Sequence, residues 1–286
     1  MSELRIATWN VNSLKVRLPH LLKWLEACQK NQQTIDVLGL QELKLTDDKF
    51  PVEELARAGY LSLFMGQKTY NGVAVLVRQA SLTHLNQDVD TAFLQVQKNI
   101  PGFVDDQQRL LATTLHFKQT QPIRIICGYF PNGQAPGTEK FDYKLKWLEA
   151  LHQFVITELQ HHPRLVLLGD YNIAPQDEDV HDPAAWVGQN LVSEPERGFF
   201  QSFLGLGLID SFRMFTQAPK IFSWWDYRMM GFRRNAGMRI DHLLISPALK
   251  AICSACHVDK EPRKWEQPSD HAPVVITLTQ EESVNP

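Results

Sequence analysis

The chain has 286 residues, 44% of them hydrophobic, and a formal net charge of −3. This is enough apolar sequence to bury a large core. The slight negative charge argues against a protein that coats nucleic acid by bulk charge, but it is compatible with a local basic groove around an acidic catalytic centre. No stretch is apolar enough to span a bilayer, and the amino terminus runs straight into a strand-like segment. We therefore expect a cytoplasmic protein with no signal peptide and no membrane partner.

Two features of the composition bear on organisation and on cysteine chemistry. No long linker rich in Pro, Gly, Ser or charge divides the chain, which predicts one domain over residues 1–280 and a polar tail over 281–286. The four cysteines are too few for a disulfide scaffold. Cys253, Cys256 and His257 match a haem-attachment pattern and half a zinc site. Without a second cysteine pair, we interpret them as a coincidence within a core strand.

Strands and a few helices alternate along the chain. The first half of the chain predicts a strand over 4–10, a helix over 20–32, a strand over 35–42, a short helix over 51–58, and strands over 61–65, 73–77, 110–116 and 123–129. A long helix over 140–161 and a strand over 165–168 follow, and the capping box of Ser193 and Glu196 predicts the start of another helix. The last predicted strands cover 222–225, 240–245, 253–258 and 274–278. Many strands with few helices favour an α/β fold in which two sheets pack together, with helices outside.

Polar side chains lie where the predicted strands end. The apolar run 165–168 predicts a strand buried on both faces, and Gly169 and Asp170 follow it directly. Ligands of α/β proteins bind beyond the carboxyl ends of such strands. Similar positions at or just beyond strand ends hold Asn10, Asn12, Glu42, Asn172, Asp241, Asp270 and His271.

Each of these residues also has a purely structural explanation. Asp170 and Asp270 are suited to capping a turn, and Asp241 has Arg239 nearby as an ion-pair partner. That all of them serve only structure is improbable. Oxygen ligands without clustered Cys or His suit Mg²⁺ or Mn²⁺ rather than zinc. A histidine paired with a buried aspartate is suited to stabilising a phosphate oxygen. Metal-assisted hydrolysis of a phosphate ester is the reaction class that fits.

The sequence resembles the exonuclease III family of abasic-site endonucleases, within the wider endonuclease/exonuclease/phosphatase fold. The segments that carry the likeness are residues 36–44 (DVLGLQELK), 210–213 (DSFR) with 222–225 (FSWW), and 235–246 (NAGMRIDHLLIS), together with 128–133, 169–172 and 269–271. The likeness runs nearly end to end. Met214 departs from it, since the family has a basic residue there; we expect a weaker phosphate contact and no loss of a catalytic role.

The resemblance implies a four-layered sandwich, α/β or α+β in class, of two mixed β-sheets flanked by helices. It implies that Asp170 orients or deprotonates the attacking water, that Asn172 binds the scissile phosphate, and that His271, supported by Asp241, stabilises the pentavalent phosphate. Tyr129 would contact phosphate or join the polar network. The implied metal ligands centre on Glu42 and comprise Glu42, Asn12, Asp170, Asn172, Asp270 and His271. The implied substrate contacts are Asn10, Asn132, Trp224, Trp225, Arg228, Arg233 and Arg234.

The implied substrate is double-stranded DNA with abasic sites or 3′ ends, cut by a monomer that uses Mg²⁺, or Mn²⁺ in its place. The segment 224–234 interleaves aromatics with three arginines, which favours stacking and phosphate contacts over a merely solvated loop. A phosphoinositide or sphingomyelin phosphodiesterase of the same fold is the first alternative. It lacks support because no amphipathic membrane-binding stretch is present. A silent binding module is the second alternative, and it has no need for the full set of acids.

Overall fold

Two six-stranded β-sheets form the centre of the protein in a computed structural model that describes residues 3–83, 89–118 and 120–279. The strands are β1 (Glu3–Asn10), β2 (Val37–Gln41), β3 (Tyr60–Met65), β4 (Val73–Arg78), β5 (Leu94–Lys98), β6 (Leu110–Leu115), β7 (Ile123–Tyr129), β8 (Leu165–Asp170), β9 (Ile209–Asp210), β10 (Asp241–Ile245), β11 (Cys253–Val258) and β12 (Val274–Thr279). The helices are α1 (Leu14–Lys30), α2 (Val52–Arg57), α3 (Val89–Ala92), α4 (Glu139–His161), α5 (Pro183–Trp186), α6 (Glu194–Gly205) and α7 (Pro247–Lys250).

The two sheets share one pattern of neighbours. The first has the order β11-β12-β1-β2-β4-β3 and the second the order β5-β6-β7-β8-β10-β9. Each contains one parallel pair, β1 with β2 and β7 with β8, and the other pairings are antiparallel. A parallel pair needs a crossover connection, and the long helices α1 and α4 supply it. The two sheets therefore have matching connectivity around their parallel pairs.

Three apolar clusters define the layers. The first lies between the sheets and combines residues such as Val37 and Ile276 from one sheet with Val166 from the other. The second joins α1 and α2 to the outer face of the first sheet, and the third joins α4 and α6 to the outer face of the second. The predicted sandwich of two mixed sheets between helices is therefore confirmed. Since both sheets share a core, we propose that residues 1–280 form one domain; the predicted tail, 281–286, lies outside the described residues.

Several predicted boundaries differ from the structure. The predicted helix starts at residue 20, but α1 begins at Leu14 and continues through Pro19. Pro19 removes one backbone hydrogen bond of the helix, and burial of Leu21, Trp24 and Leu25 compensates for that loss. Residues 222–225 do not form a strand, since Trp224 makes only isolated bridges. The sequence patterns did not predict β5, because it is an edge strand whose side chains are mostly exposed. They did not predict β9, because it has only two residues.

The structure also bears on membrane association and on the cysteine motif. Within the described ranges, no helix combines the length and apolar character that crossing a bilayer requires. Cys253 and Cys256 are buried in β11, where burial raises the pKa of the two thiols to about 11 and about 12. Buried, protonated thiols support a core role for this pair rather than a haem or zinc site.

Candidate active site

The predicted site residues gather at one edge of the sandwich because of strand direction. The carboxyl ends of β1 and β2, which are parallel, lead to Asn12 and Glu42, and those of β7 and β8 lead to Tyr129 and Asp170. Strands β10 and β12 run antiparallel to β8 and β1, so their amino ends lie at the same edge. Asp241 is therefore the first residue of β10, and His271 lies just before β12.

The backbone is strained where these strands end. Asn12, Glu42 and Asn172 have positive φ values of 45°, 54° and 49°, in the left-handed region that non-glycine residues seldom adopt. Gly169 has a φ of 150°, and a Cβ there would lie 1.9 Å from the carbonyl oxygen of Gly128 on β7. Such strain persists only where the surrounding structure fixes it, and it is typical of functional sites.

Asn10 links the carboxylates of the two sheets. Its Nδ2 donates to Glu42 Oε1 at 2.8 Å and to Asp170 Oδ2 at 2.9 Å. The Tyr129 hydroxyl donates to the same Glu42 oxygen at 3.0 Å. Burial, followed by the charges of Glu42 and Asp170, raises the pKa of Tyr129 well above its usual value, so the phenol stays protonated. The donors hold two carboxylates side by side without adding charge.

His271 lies between two buried carboxylates. Its Nδ1 is 2.9 Å from Asp241 Oδ2, and its Nε2 is 3.7 Å from Asp170 Oδ2. Burial alone would lower the pKa of His271, but the charges of Asp241 and Asp170 outweigh burial and raise it to about 10. The imidazole is therefore protonated at neutral pH. Ser223, which sequence reasoning missed, donates its hydroxyl to Asp241 at 2.6 Å and helps to fix this pair.

Asp170 is suited to accepting a proton. Burial raises its pKa to about 7 against the opposing charge of His271, and Asp241 adds to the rise. Its Oδ1 accepts from the backbone N–H of Asn172 at 2.9 Å. The side chain of Asn172 in turn accepts from Asn132 Nδ2 at 2.9 Å. A carboxylate whose pKa lies near neutrality is matched to general-base catalysis.

Asp270 is held mainly by N–H donors. Its two carboxylate oxygens accept from Asn12 Nδ2 at 2.8 Å and from Trp224 Nε1 at 3.0 Å. Lys44 bonds to Glu42 Oε2 at 2.8 Å and to Asn12 Oδ1, so these two oxygens face one cationic position. Each oxygen of Asp270 thus accepts from a neutral N–H donor, whereas Glu42 Oε2 and Asn12 Oδ1 share the cation of Lys44.

A metal ion fits the donor set at the site. Candidate ligand atoms of Glu42, Asp170 and His271 lie within 4.8 Å of one another. The carboxylates, with the Asn12 amide oxygen nearby, are the hard ligands that Mg²⁺ and Mn²⁺ prefer. A doubly protonated imidazole has no free lone pair for a metal, so His271 fits the set less well than the carboxylates do.

The polar residues line one side of a cleft of about 640 Å³, which also has an apolar wall. That wall includes Trp186, Trp224 and Ile240. Sequence reasoning missed Trp186, since a single tryptophan in a short helix has no spacing that marks it. Asn132 is exposed at the same cleft, and Tyr129, Asp170, Asn172, Asp270 and His271 all contribute to its lining.

The predicted substrate-binding segment 224–234 divides into exposed and buried parts. Arg228, Arg233 and Arg234 are exposed, as a phosphate contact requires. Trp225 is 0% exposed: its ring packs against Phe232, and its indole N–H donates to Asn235. The prediction that Trp225 contacts substrate is therefore wrong, because a ring without exposed surface cannot stack on a base. Trp224 is partly buried and lines the cleft.

Asp241 does not form the ion pair with Arg239 that was its structural alternative. Arg239, which was the candidate partner, forms ion pairs with Asp179 at 2.7 Å and with Asp210 at 2.8 Å. Asp241 pairs with His271 instead. The choice between these partners depends on distant segments of the chain, so neighbouring sequence gives no means to make it.

Comparison with known proteins agrees with this geometry. The model of the Endonuclease/Exonuclease/phosphatase family matches residues 7–271. The exodeoxyribonuclease III of Haemophilus influenzae is 33% identical over 279 residues, which cover 95% of this chain and 98% of that protein. The Neisseria 3′ phosphatase NExo, solved with a product DNA hairpin, is 42% identical, with a TM-score of 0.86 and coverage of 98% and 100%. An Archaeoglobus fulgidus AP endonuclease is 32% identical, with a TM-score of 0.84 and coverage of 96% and 99%.

The chain therefore belongs to the endonuclease/exonuclease/phosphatase family, in the exonuclease III group that its sequence resembles.

Proposed function

We propose that this protein hydrolyses the phosphodiester bond 5′ to abasic sites in duplex DNA, with 3′-to-5′ exonuclease and 3′-end-cleaning activity. The observation that carries the proposal is the position of His271 between Asp241 and Asp170, with Glu42 close to Asp170 and His271. These groups match the needs of phosphoryl transfer to water. The activities named for the relatives support the same chemistry.

In the proposed reaction, Asp170 orients a water molecule and accepts its proton as the oxygen attacks phosphorus. His271 donates a charged hydrogen bond to a phosphate oxygen, where negative charge grows in the transition state. Asp241 keeps His271 protonated and oriented. Asn172 supplies a neutral N–H donor to the phosphate, and Tyr129, whose hydroxyl donates to Glu42, belongs to the polar network that holds the carboxylates. The bond from phosphorus to the 3′ oxygen breaks and that oxygen takes a proton from solvent water, so the products are a 3′ hydroxyl and a 5′-deoxyribose phosphate.

We propose Mg²⁺, or Mn²⁺ in its place, as the cofactor, held by Glu42 with Asn12 and Asp170 close by. When bound, the metal supplies positive charge to phosphate oxygens. We assign His271 to the phosphate, since it is protonated, and Asp270 to the positioning of Asn12 and Trp224. Asn172 then belongs with the phosphate contacts as well.

Duplex DNA is the proposed partner because of the surface beside the cleft. Trp224 offers an aromatic face at the wall of the cleft, and Arg228, Arg233 and Arg234 offer exposed guanidinium groups in the following loop. Stacking and phosphate contacts of this kind suit a nucleic acid better than a lipid headgroup. Asn10 lies too deep for contact with the duplex, with 0% exposure, and we propose that it organises the carboxylates instead. A cytoplasmic location and a monomeric state stay predictions.

One gel tests the proposal. An end-labelled duplex with a single abasic analogue is incubated with Mg²⁺ or with excess chelator, and Asp170→Asn serves as the control for contaminating nucleases. We expect an internal cut at the analogue and a slower ladder from the 3′ end, both dependent on the metal and both absent in Asp170→Asn. Intact DNA under every condition would point to another phosphate ester as the substrate.

A further inference from the structure

Lys144 is a cation buried beneath the active site. It lies in the second turn of α4, and both its side chain and that of its partner Glu196 are 0% exposed. Besides the ion pair with Glu196, its ammonium donates to the main-chain oxygens of Asn172, at 2.7 Å, and Asn132, at 3.2 Å. All three N–H donors of the ammonium are thus matched by acceptors.

The two carbonyl groups belong to residues that meet in the active site. The side-chain amides of Asn132 and Asn172 are joined by a 2.9 Å hydrogen bond, and the N–H of Asn172 bonds to Asp170. Asn172 also has the strained φ of 49°. A strained residue keeps its conformation only if its surroundings fix it. The ammonium of Lys144 binds the carbonyl oxygen of Asn172 and so helps to fix the main chain there.

Glu196 extends this support to the wall of the cleft. Its carboxylate accepts from the backbone N–H groups of Leu191 and Ser193, each at 3.0 Å. Leu191 and the residues just before it line the cleft, and Asn190 Nδ2 donates to Asn132 Oδ1 at 3.1 Å. The buried pair thereby connects α4 and α6 to two loops, 130–133 and 188–193, and to Asn172 between them.

We propose that Lys144 is a positioning residue for phosphodiester hydrolysis: its ammonium fixes the main chain of Asn132 and Asn172, so that their amides and Asp170 keep a reactive arrangement. The kinetic part of this inference rests on the proposed function. Lys144 itself does not touch the substrate, since it has no exposed surface. Misplacement of reacting groups by a small distance is known to lower rates strongly, which makes such support consequential.

The other end of α4 offers a matched control. Arg124 is 3% exposed, pairs with Glu158 in the last turns of α4, and donates to the carbonyl of Gln95 at 2.7 Å. Like Lys144, it is a buried cation that binds one carboxylate and a main-chain oxygen. Arg124 lies near the amino end of β7, roughly 16 Å from Tyr129 at a rise of about 3.3 Å per residue.

The test compares two double variants, Lys144→Met/Glu196→Gln and Arg124→Met/Glu158→Gln. Removing both partners avoids an uncompensated buried charge, which would strongly destabilise either protein. The melting temperatures of both variants are measured first, and an assay temperature is chosen at which both are folded. At that temperature, kcat and KM are measured on the abasic duplex. We expect the Lys144 variant to lose about 10- to 100-fold in kcat with KM nearly unchanged, and the Arg124 variant to keep its kcat.

A second measurement does not depend on activity. The side-chain amide signals of Asn132 and Asn172 are followed by NMR in ¹⁵N-labelled protein, assigned with the single variants Asn132→Asp and Asn172→Asp. We expect both signals to move in the Lys144 variant and to stay in place in the Arg124 variant. Equal losses of kcat in the two variants, or unmoved amide signals, would overturn the proposal. If the wild type does not cut abasic DNA, the proposed function fails and the amide signals alone decide the role of Lys144.

Discussion

Asp170 and Asp241 lie directly opposite each other on the neighbouring antiparallel strands β8 and β10, and each is only 1% exposed. Two like charges in such a position repel each other, and the repulsion is strong in a buried environment. The imidazolium of His271 lies between the two carboxylates and offsets this repulsion. The pairing explains why an acid at the start of β10 is tolerated and why the histidine stays charged.

His271 and Asp241 are expected to act as one catalytic unit. His271→Ala removes the donor to the phosphate, and Asp241→Asn removes the charge that keeps it protonated. Loss of one preorganised donor typically costs about 10²–10³ in rate. Because one residue acts through the other, the double variant should be little slower than His271→Ala. Rate constants from single-turnover assays test this, and losses that multiply fully would show that the two residues act independently.

The same pair predicts how stability depends on pH. The pKa of His271 is about 10 in the folded protein against 6.5 for an ordinary histidine, so its protonation stabilises the fold. This contribution is complete below pH 6.5 and is lost as the pH rises through 10. We expect the difference in unfolding free energy between wild type and Asp241→Asn to shrink from pH 6.5 to 10, measured by denaturant titration in chelator. A difference that is constant over this range would contradict a charged His271.

Substitutions of Glu42 and His271 should differ in their effect on metal affinity. Glu42→Gln removes a ligand and should weaken Mn²⁺ binding by more than about tenfold. His271→Ala should leave that affinity nearly unchanged, because we assign this residue to the phosphate. Titration calorimetry measures both. In the wild type, Mg²⁺ at about 100 times its dissociation constant should add roughly 2.7 kcal/mol of stability. A tenfold loss of affinity in His271→Ala would place the histidine among the ligands.

Substitution of Trp224 should affect DNA binding, whereas substitution of Trp225 should affect the stability of the fold. Trp224→Ala should weaken binding of an abasic duplex by about 1–3 kcal/mol and spare the hydrolysis of a small phosphodiester that does not reach the ring. Trp224→Phe is the control, since it keeps an aromatic face but loses the N–H bond to Asp270. Trp225→Ala should instead destabilise the fold by about 3–5 kcal/mol, since it opens a cavity. Equal losses on both substrates for Trp224→Ala would mean that Trp224 supports the site rather than the DNA.

The sequence predicted those features of the fold that depend on local pattern. Buried strands such as 165–168, the capping box of Ser193 and Glu196, and the crowding of polar residues at strand ends all follow from neighbouring residues. Local pattern misses β5, whose side chains are mostly exposed, and it places a strand at residues 222–225, where apolar side chains pack without a ladder.

What the sequence could not predict depends on contacts between distant segments. Trp224 and Trp225 are identical in type and adjacent, yet only the fold determines that one reaches the cleft and the other the core. The partners of Asp241 and Lys144 likewise lie far away along the chain, with His271 and Glu196 brought in by strand order and helix packing. Neither spacing nor composition contains that information.

Hydrolysis by water at the phosphorus 5′ to an abasic site can be tested by isotope labelling. An abasic duplex is cleaved in H₂¹⁸O with Mg²⁺, and the fragments are analysed by mass spectrometry. Attack by a water molecule that Asp170 deprotonates breaks the bond from phosphorus to the 3′ oxygen. We therefore predict one ¹⁸O in the phosphate of the 5′-deoxyribose-phosphate product and none in the 3′ hydroxyl. A phosphate without the label, together with an unsaturated sugar at the 3′ end, would show elimination rather than hydrolysis and would contradict the proposed mechanism.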